Sequence, residues 1–284
     1  MQFTDLHIHS TISDGMLSPE EIVIIAKKKG IRCISVTDHD TVDSQKILSK
    51  LIKDKDLIIV PGIEISTEYK GNEIHILGYF MDINNKSLND NLKVLQGSRK
   101  ERAIDILKKL QCINISISTE EININKSSIG RPHIANALVE KGYATTVRNA
   151  FNQYLIKGKP AYVDRYKLKY KEALGLIKDS GGISVLAHPG EIYKGEKIEN
   201  IIKEFKVYGL NGIEVFHPSH STTEINDYYN LAKKYSILIT GGSDCHGSLV
   251  NNELLLGTYG LNENLTNKFL KSNNNNYNNM VGGI

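Results

Sequence analysis

Cysteine is scarce in this chain, and its scarcity excludes two ways of stabilising a protein. The 284 residues contain three cysteines, Cys33, Cys112 and Cys245, and no Cys-x-x-C pair. An odd number of isolated cysteines argues against a disulfide framework, and the missing pairs argue against a zinc finger. The fold must therefore rest on a hydrophobic core, for which a hydrophobic fraction of 40% is sufficient.

Long apolar runs and strong charge are also missing. No apolar run approaches the ~18 residues that a membrane span needs, and no basic-then-apolar leader precedes the first predicted strand. We therefore expect a cytoplasmic protein with no membrane partner. The formal net charge is only +3, and without a basic stripe double-stranded nucleic acid is not the expected main partner. We also expect no stable protein partner.

Alternating strand and helix patterns are what the sequence does contain. Ser18-Pro19-Glu20-Glu21 is a capping box that opens a helix, and Gly30 ends that helix. Further periodic segments predict strands at 3–6, 31–37, 57–65, 73–79, 183–187, 212–216 and 237–240, and helices at 43–53, 170–179, 196–206 and 222–235. This order predicts an α/β fold, a barrel-like arrangement of about seven strands.

The region between about residues 82 and 160 breaks this alternation, because it contains helical patterns and no strong strand pattern. We predict a discontinuous barrel domain (1–95 and 166–271) and a small helical insertion domain (96–165) that acts as a substrate cap. The asparagine-rich residues 272–284 are predicted to be a low-complexity tail.

Histidines and carboxylates recur at or beside the predicted strands. His7 and His9 are two residues apart in an extended segment, so both imidazoles point to one side, and Asp14 follows in a turn. The other polar residues of this kind are His39, Glu64, His75, His188, Asp244 and His246. Nine such residues exceed the needs of one tetrahedral ion and suit two or three ions with bridging carboxylates.

The order of these motifs resembles the polymerase and histidinol phosphatase (PHP) family of metal-dependent phosphoesterases. The matching segments are Asp5-Leu6-His7-Ile8-His9-Ser10 with Ser13-Asp14-Gly15, Thr37-Asp38-His39-Asp40, Gly62-Ile63-Glu64, His75-Ile76-Leu77-Gly78-Tyr79, Ala187-His188-Pro189 and Ser243-Asp244-Cys245-His246. The resemblance implies a distorted (β/α)7 barrel, a trinuclear metal centre and a metal-activated hydroxide that attacks phosphate.

The resemblance also implies a division of the ligands among three ions. The first ion would be held by His7, His9, Glu64 and Asp244, the second by Glu64, His75 and His188, and the third by Asp14, His39 and His246. The predicted catalytic residues among them are Asp14, His39, Glu64 and His246. The cofactors are two to three divalent ions (Mn, Zn or Fe), with Mn favoured, although mixed imidazole and carboxylate sites accept all three metals.

Gly130-Arg131-Pro132-His133 resembles the stand-alone nucleotide phosphatases of this family. Arg131 is predicted to bind phosphate through its planar guanidinium, and His133 to bind the ester or base. His217 and His220 follow a strand, and either is suited to protonate the leaving oxygen or to a structural role. His220 is predicted to be a substrate-binding residue.

The predicted reaction is hydrolysis of the phosphate monoester of a small nucleotide, a nucleoside monophosphate or a 3',5'-bisphosphate. One alternative is a 5'-to-3' exoribonuclease that acts on short single-stranded RNA, and another is a phosphatase of the histidinol-phosphate type. A purely structural metal site is disfavoured, because structural sites are closed and four-coordinate. An amidohydrolase is disfavoured by the Asp-Cys-His segment and by the lack of a carbamylated-lysine context.

Overall fold

A computed structural model describes residues 3–51, 57–192, 195–250 and 252–273. Predicted features at residues 52–53 and in the tail from residue 274 lie outside this part of the chain. The strands, in chain order, are β1 (Thr4–Ile8), β2 (Cys33–Val36), β3 (Ile58–Ile59), β4 (Gly62–Tyr69), β5 (Asn72–Tyr79), β6 (Leu168–Lys169), β7 (Ile183–Leu186), β8 (Gly212–Phe216), β9 (Leu238–Gly241), β10 (Leu249–Val250) and β11 (Glu253–Leu254).

Helices alternate with most of these strands. In chain order they are α1 (Pro19–Lys28), α2 (Asp43–Leu51), α3 (Lys86–Gln111), α4 (Arg131–Glu140), α5 (Val147–Ala150), α6 (Tyr170–Asp179), α7 (Ile198–Val207), α8 (Thr222–Tyr235) and α9 (Glu263–Lys271). The predicted capping box is present, because the Ser18 side chain accepts from the Glu21 N–H and the Glu21 carboxylate accepts from the Ser18 N–H.

Two sheets carry the candidate ligands. A parallel sheet has the order β1-β2-β3, and a six-stranded sheet has the order β6-β4-β5-β7-β8-β9, in which β5 runs antiparallel to both neighbours. Isolated parallel bridges join the sheets at both sides, at Ile8–Cys245 and at His39–Glu64. The ends of β1, β2, β4 and β9 are therefore brought together.

The predicted strand at 57–65 is wrong in one respect, because it is two strands. Pro61 separates β3 from β4, and proline lacks the N–H that a continuous ladder needs. The first strand also continues through Ile8, so His7 lies within it. The sequence analysis missed α9, whose Phe269 packs against Tyr79 and Phe80 with ring centroids 5.2 and 5.1 Å away.

Residues 86–165, called the helical segment below, have a hydrophobic core of their own. That core runs from Ala103 on α3 to Ala161 and includes Ile134 and Leu138 of α4. The predicted boundary at residues 95 and 96 falls inside α3, which is a single helix of 26 residues. The single helix α3 therefore connects the helical segment to the part of the protein that carries the sheets.

No helix in the described ranges is both long enough and apolar enough to cross a bilayer.

Gly242 lets the end of β9 approach β1, and this contact is testable. A Cβ atom on Gly242 would lie 2.3 Å from the backbone N of His7, whereas one on Gly175 in α6 would meet nothing within 4 Å. We expect Gly242→Ala to lower the free energy of unfolding by about 1–3 kcal/mol and Gly175→Ala to raise it by about 0.5–1 kcal/mol. Urea unfolding of the metal-free protein measures both; equal stability of Gly242→Ala and wild type would contradict this packing.

Candidate metal centre

His7 and His9 project from β1 to the same side, as their spacing predicts. Their Nε2 atoms lie 3.4 and 3.2 Å from Glu64 Oε2, and 3.4 and 3.1 Å from Asp244 Oδ1. Both histidines are fully buried. Four side chains from three strand ends thus enclose one point.

Glu64 on β4 is the centre of a larger ring of imidazoles. His39 Nδ1 lies 3.0 Å from Oε2, and His75 Nδ1 and His188 Nε2 lie 2.8 and 2.9 Å from Oε1. Because one carboxylate faces five histidines with both oxygens, it is placed to bridge two cations.

Asp14 forms a second focus with three histidines. His9 Nδ1, His39 Nε2 and His246 Nε2 lie 3.7, 3.8 and 3.5 Å from its carboxylate oxygens. The rings of His9 and His246 stack with centroids 4.2 Å apart. The nine predicted ligands are therefore brought together, and these four offer ligand atoms within 4.8 Å of one another.

Several buried polar atoms at these foci have no hydrogen-bond partner in the described part of the chain, although they are close to one another. These atoms are His7 Nε2, both ring nitrogens of His9, Asp14 Oδ1, His39 Nδ1 and Glu64 Oε2. Buried polar atoms without partners are costly, and imidazole and carboxylate atoms aimed at common points are the donor set of a divalent metal site. The residues present fit the metal ions that the sequence predicts.

The pKa values of these groups reflect strong coupling. Burial lowers the pKa of His9 and His75, but nearby carboxylates outweigh it and raise both to about 10. Burial raises the pKa of Glu64 and Asp14, but the surrounding histidines hold both well below the ordinary range. Without cations His9 and His75 hold protons at neutral pH, so divalent cations must displace these protons on binding.

Three carboxylates that were not predicted hold the ligands in place. Glu214 Oε1 accepts from His7 Nδ1 at 3.0 Å, which directs Nε2 toward Glu64. Asp5 accepts from the Ser243 N–H and hydroxyl at 2.9 and 2.6 Å, next to Asp244. Such partners fix the tautomer and orientation of ligands.

The third carboxylate, Glu73, lies 3.5 Å from His75 Nε2, on the side of the ring away from Glu64. Glu214 is apparent as a partner of His7 only when distant segments are folded together. An acidic residue on a strand two positions from a ligand histidine was the available signal for Asp5 and Glu73.

Asp38 and Asp40, which flank His39, hold other parts of the site in place. Asp38 accepts from the Ser10 N–H and the Ser13 hydroxyl at 2.8 and 2.6 Å, and so holds the loop that carries Asp14. Asp40 Oδ2 lies 2.7 Å from Arg99 Nε, and this ion pair joins α3 to the strand ends.

Arg131 lies in a cleft of about 130 Å³ beside the metal foci. The cleft is lined by Asp14, His39, Ser66, Glu73, His75, Arg99, Arg102, Gly130, Arg131, Pro132, Phe151 and Arg165. The guanidinium of Arg131 lies 5.6 Å from the Phe151 ring centroid and 3.4 Å from the Leu155 carbonyl oxygen. The predicted phosphate-binding residue is therefore next to the predicted ligands.

His220 does not fit the prediction that it binds substrate. Its Nδ1 donates to the Val215 carbonyl at 2.9 Å, and its Nε2 accepts from the Gly190 N–H at 3.2 Å. Both ring nitrogens are occupied by backbone, and His220 lies outside the cleft lining. Its role is structural: it ties the end of β8 to the turn after His188.

His217 is the histidine of this pair that reaches the metal centre. Its Nδ1 accepts from the Ser219 N–H at 3.2 Å, which leaves the ring proton on Nε2. Nε2 lies 3.4 Å from Asp244 Oδ2. His217 therefore faces a proposed ligand with an N–H group.

His133 is also placed differently from its predicted contact with ester or base. Its Nδ1 lies 3.0 Å from the Gly130 N, and its Nε2 lies 3.0 Å from the Ser13 carbonyl oxygen. Backbone groups occupy both ring nitrogens, so His133 has no free nitrogen for a substrate.

Curated relatives cover most of the chain. It is 31% identical to a 3',5'-nucleoside bisphosphate phosphatase of Chromobacterium violaceum, over 85% of this chain and 86% of that protein. It is 33% identical to the 5'-3' exoribonuclease Rnm of Salmonella typhimurium, over 85% and 84%. A phosphoribosyl 1,2-cyclic phosphate 1,2-diphosphodiesterase of Eggerthella lenta is 29% identical over 86% and 94%.

Solved structures and a family model agree with these relatives. A Bifidobacterium adolescentis protein, whose assignment as a metal-dependent phosphoesterase is itself inferred, superposes with a TM-score of 0.87 at 25% identity, covering 95% of this chain and 96% of that one. A Chromobacterium violaceum protein described as an amidohydrolase, with bound sulfate and no metal, gives 0.81 at 30% identity, covering 86% and 88%. The PHP domain model matches residues 5–226, and the chain belongs to the PHP domain family of metal-dependent phosphoesterases.

Proposed function

We propose that this protein hydrolyses the phosphate monoester of a small nucleotide at a trinuclear metal centre. The observation that carries the proposal is the convergence of five imidazoles on Glu64 beside a cleft lined by arginines. The proposed scaffold is a distorted (β/α)7 barrel, supported by the bridges that join the two sheets at both sides. The helical segment is its substrate cap.

The proposed ligand sets keep the division that the family resemblance implies. His7, His9, Glu64 and Asp244 hold one ion, Glu64, His75 and His188 a second, and Asp14, His39 and His246 a third. When bound, these divalent ions, for which we favour Mn²⁺, supply Lewis acidity and hydroxide at neutral pH. Glu64 keeps the first two sets adjacent, and the remaining residues orient the ligands and the phosphate.

The charges of the cleft favour a substrate with a second phosphate group, such as a 3',5'-bisphosphate. Arg99 and Arg165 lie 2.7 and 3.4 Å from Asp40. Among the described residues, neither Arg102 nor Arg131 has a carboxylate within salt-bridge distance; Arg102 Nε donates to the Val163 carbonyl. Burial lowers the pKa of Arg102 to about 9, and the positive charge of nearby Arg131 acts in the same direction. Two cations without carboxylate partners suit a bound dianion.

A 5'-to-3' exoribonuclease is the second candidate, and charge on the helical segment favours it. Residues 86–165 contain fourteen lysines and arginines against seven aspartates and glutamates, although the whole chain carries only +3. A basic surface around the cleft would attract a single strand of RNA.

Removal of the metal tests the centre directly. We expect metal analysis of carefully prepared protein to find two to three ions per chain, and chelation to abolish hydrolysis until Mn²⁺ is returned. Glu64→Gln should lose bound metal because a bridging charge is removed, whereas Glu68→Gln, an exposed change on the same strand, should keep it. Active protein with less than one ion per chain would contradict the trinuclear centre.

Removal of the Arg131 guanidinium tests the phosphate contact. Arg131→Ala should lower kcat/KM for nucleotides by about 10–100-fold, since a charged hydrogen bond is worth about 1.5–3 kcal/mol. Metal content should stay unchanged. Arg148→Ala, an exposed arginine of the same segment, is the matched control. Nucleotide kinetics that are identical in the two variants would exclude Arg131 from the site.

The products distinguish the two candidate functions. The protein is incubated separately with nucleoside 3',5'-bisphosphates and with short 5'-phosphorylated RNA. If it is a nucleotide phosphatase, it should release inorganic phosphate from the bisphosphates with a higher kcat/KM than it shows on RNA. Mononucleotides released from RNA at the higher kcat/KM would favour the exoribonuclease instead. Assays use the metal-loaded full chain.

A further inference from the structure

The hydrogen bonds of His133 define which nitrogen carries its proton. The Gly130 N–H donates to Nδ1 at 3.0 Å, so the neutral ring carries hydrogen on Nε2, which donates to the Ser13 carbonyl at 3.0 Å. In the opposite tautomer, Nδ1 would donate to the Gly130 carbonyl at 3.3 Å and Nε2 would accept from Lys126 Nζ at 3.2 Å. That arrangement has two longer contacts and leaves the Gly130 N–H unpaired, so the first tautomer is favoured.

The bond to Ser13 acts on the loop that carries Asp14. On one side of the loop, the Ser10 and Ser13 hydroxyls donate to Asp38 at 2.8 and 2.6 Å. On the other side, His133 of α4 donates to the Ser13 carbonyl, and the Met16 N–H beyond Asp14 donates to the His246 carbonyl at 2.8 Å. The loop is therefore held between the end of β2 and the helical segment.

Asp14 depends on this support because its own side chain has little. Its Oδ1 is buried and has no hydrogen-bond partner. A Cβ atom on Gly130 would lie 3.8 Å from Asp14 Oδ2, so the start of α4 packs directly against this carboxylate. The backbone of the loop and the start of α4 therefore help to set the position of Asp14.

We propose that His133 is a positioning residue that holds Asp14 in the geometry for its metal ion, and that the helical segment thereby completes the metal centre. This inference rests on the proposed function only in taking Asp14 as a metal ligand. Loss of such a supporting bond typically lowers metal affinity by about 10–100-fold. His133 then governs metal occupancy and does not contact the substrate.

Two conservative substitutions separate the two bonds of His133. Asparagine places an acceptor where Nδ1 lies and is too short to reach Ser13, whereas glutamine places an amide N–H near the position of Nε2. We expect His133→Asn to weaken Mn²⁺ binding by about 10–100-fold at one site and His133→Gln to retain the wild-type affinity. Equilibrium dialysis of the metal-free full chain with Mn²⁺ measures this without any nucleotide, after circular dichroism and urea unfolding confirm the fold.

Amide hydrogen exchange of the metal-free protein provides a second readout. The amides of residues 10–15 should exchange faster in His133→Asn than in wild type, and His133→Gln should match wild type. Unchanged Mn²⁺ affinity in His133→Asn, or equal losses in both variants, would overturn the proposal. So would a rise in KM at full metal occupancy, which is the mark of a substrate contact. A wild-type protein that binds Mn²⁺ but hydrolyses no nucleotide would contradict only the proposed function, because the dialysis of the variants still decides the role of His133.

Discussion

A buried carboxylate surrounded by five imidazoles is the interaction on which the rest of this structure depends. Glu64 is 1% exposed, and a charge placed there is tolerable only if cations or protons balance it. The protein meets this constraint by ending strands of both sheets around Glu64. The antiparallel strand β5 pairs His75 with Ser66 and so brings its Nδ1 to 2.8 Å from Glu64, and the bridge between His39 and Glu64 brings the two sheets together at the same point.

Two of the contacts that join the helical segment to this centre differ in their chemistry. Arg99 forms a buried ion pair with Asp40, and His133 donates to the backbone at Ser13. One contact fixes α3 against the strand ends, and the other fixes α4 against the loop of Asp14. The cleft between them is lined by proposed metal ligands and by arginines, so metal binding and substrate recognition use the same cleft.

Local patterns predicted much of this arrangement, and long-range contacts explain what they missed. The His-x-His spacing on β1 and the capping box at Ser18 are local, and both are as predicted. Glu214 and His217 belong to the site because β8 lies beside β7 and β9, which no local pattern reveals. His133 and His220 were predicted to contact substrate because histidine is chemically versatile, but backbone groups satisfy their ring nitrogens. The break at Pro61 was legible in the sequence and was overlooked.

The spread of the proposed ligands along the chain, from His7 to His246, has a consequence for folding. Apart from His7 and His9 on β1 and from Glu64 and His75 in the β4–β5 hairpin, the ligands of each set come from distant segments, so loop closure must precede their meeting. An unfolded chain can offer a cation little more than His7 and His9, while the folded chain offers all nine residues. Divalent metal should therefore stabilise the complete fold selectively, and a nascent chain would acquire its full affinity only once the segment around Asp244 has emerged and docked.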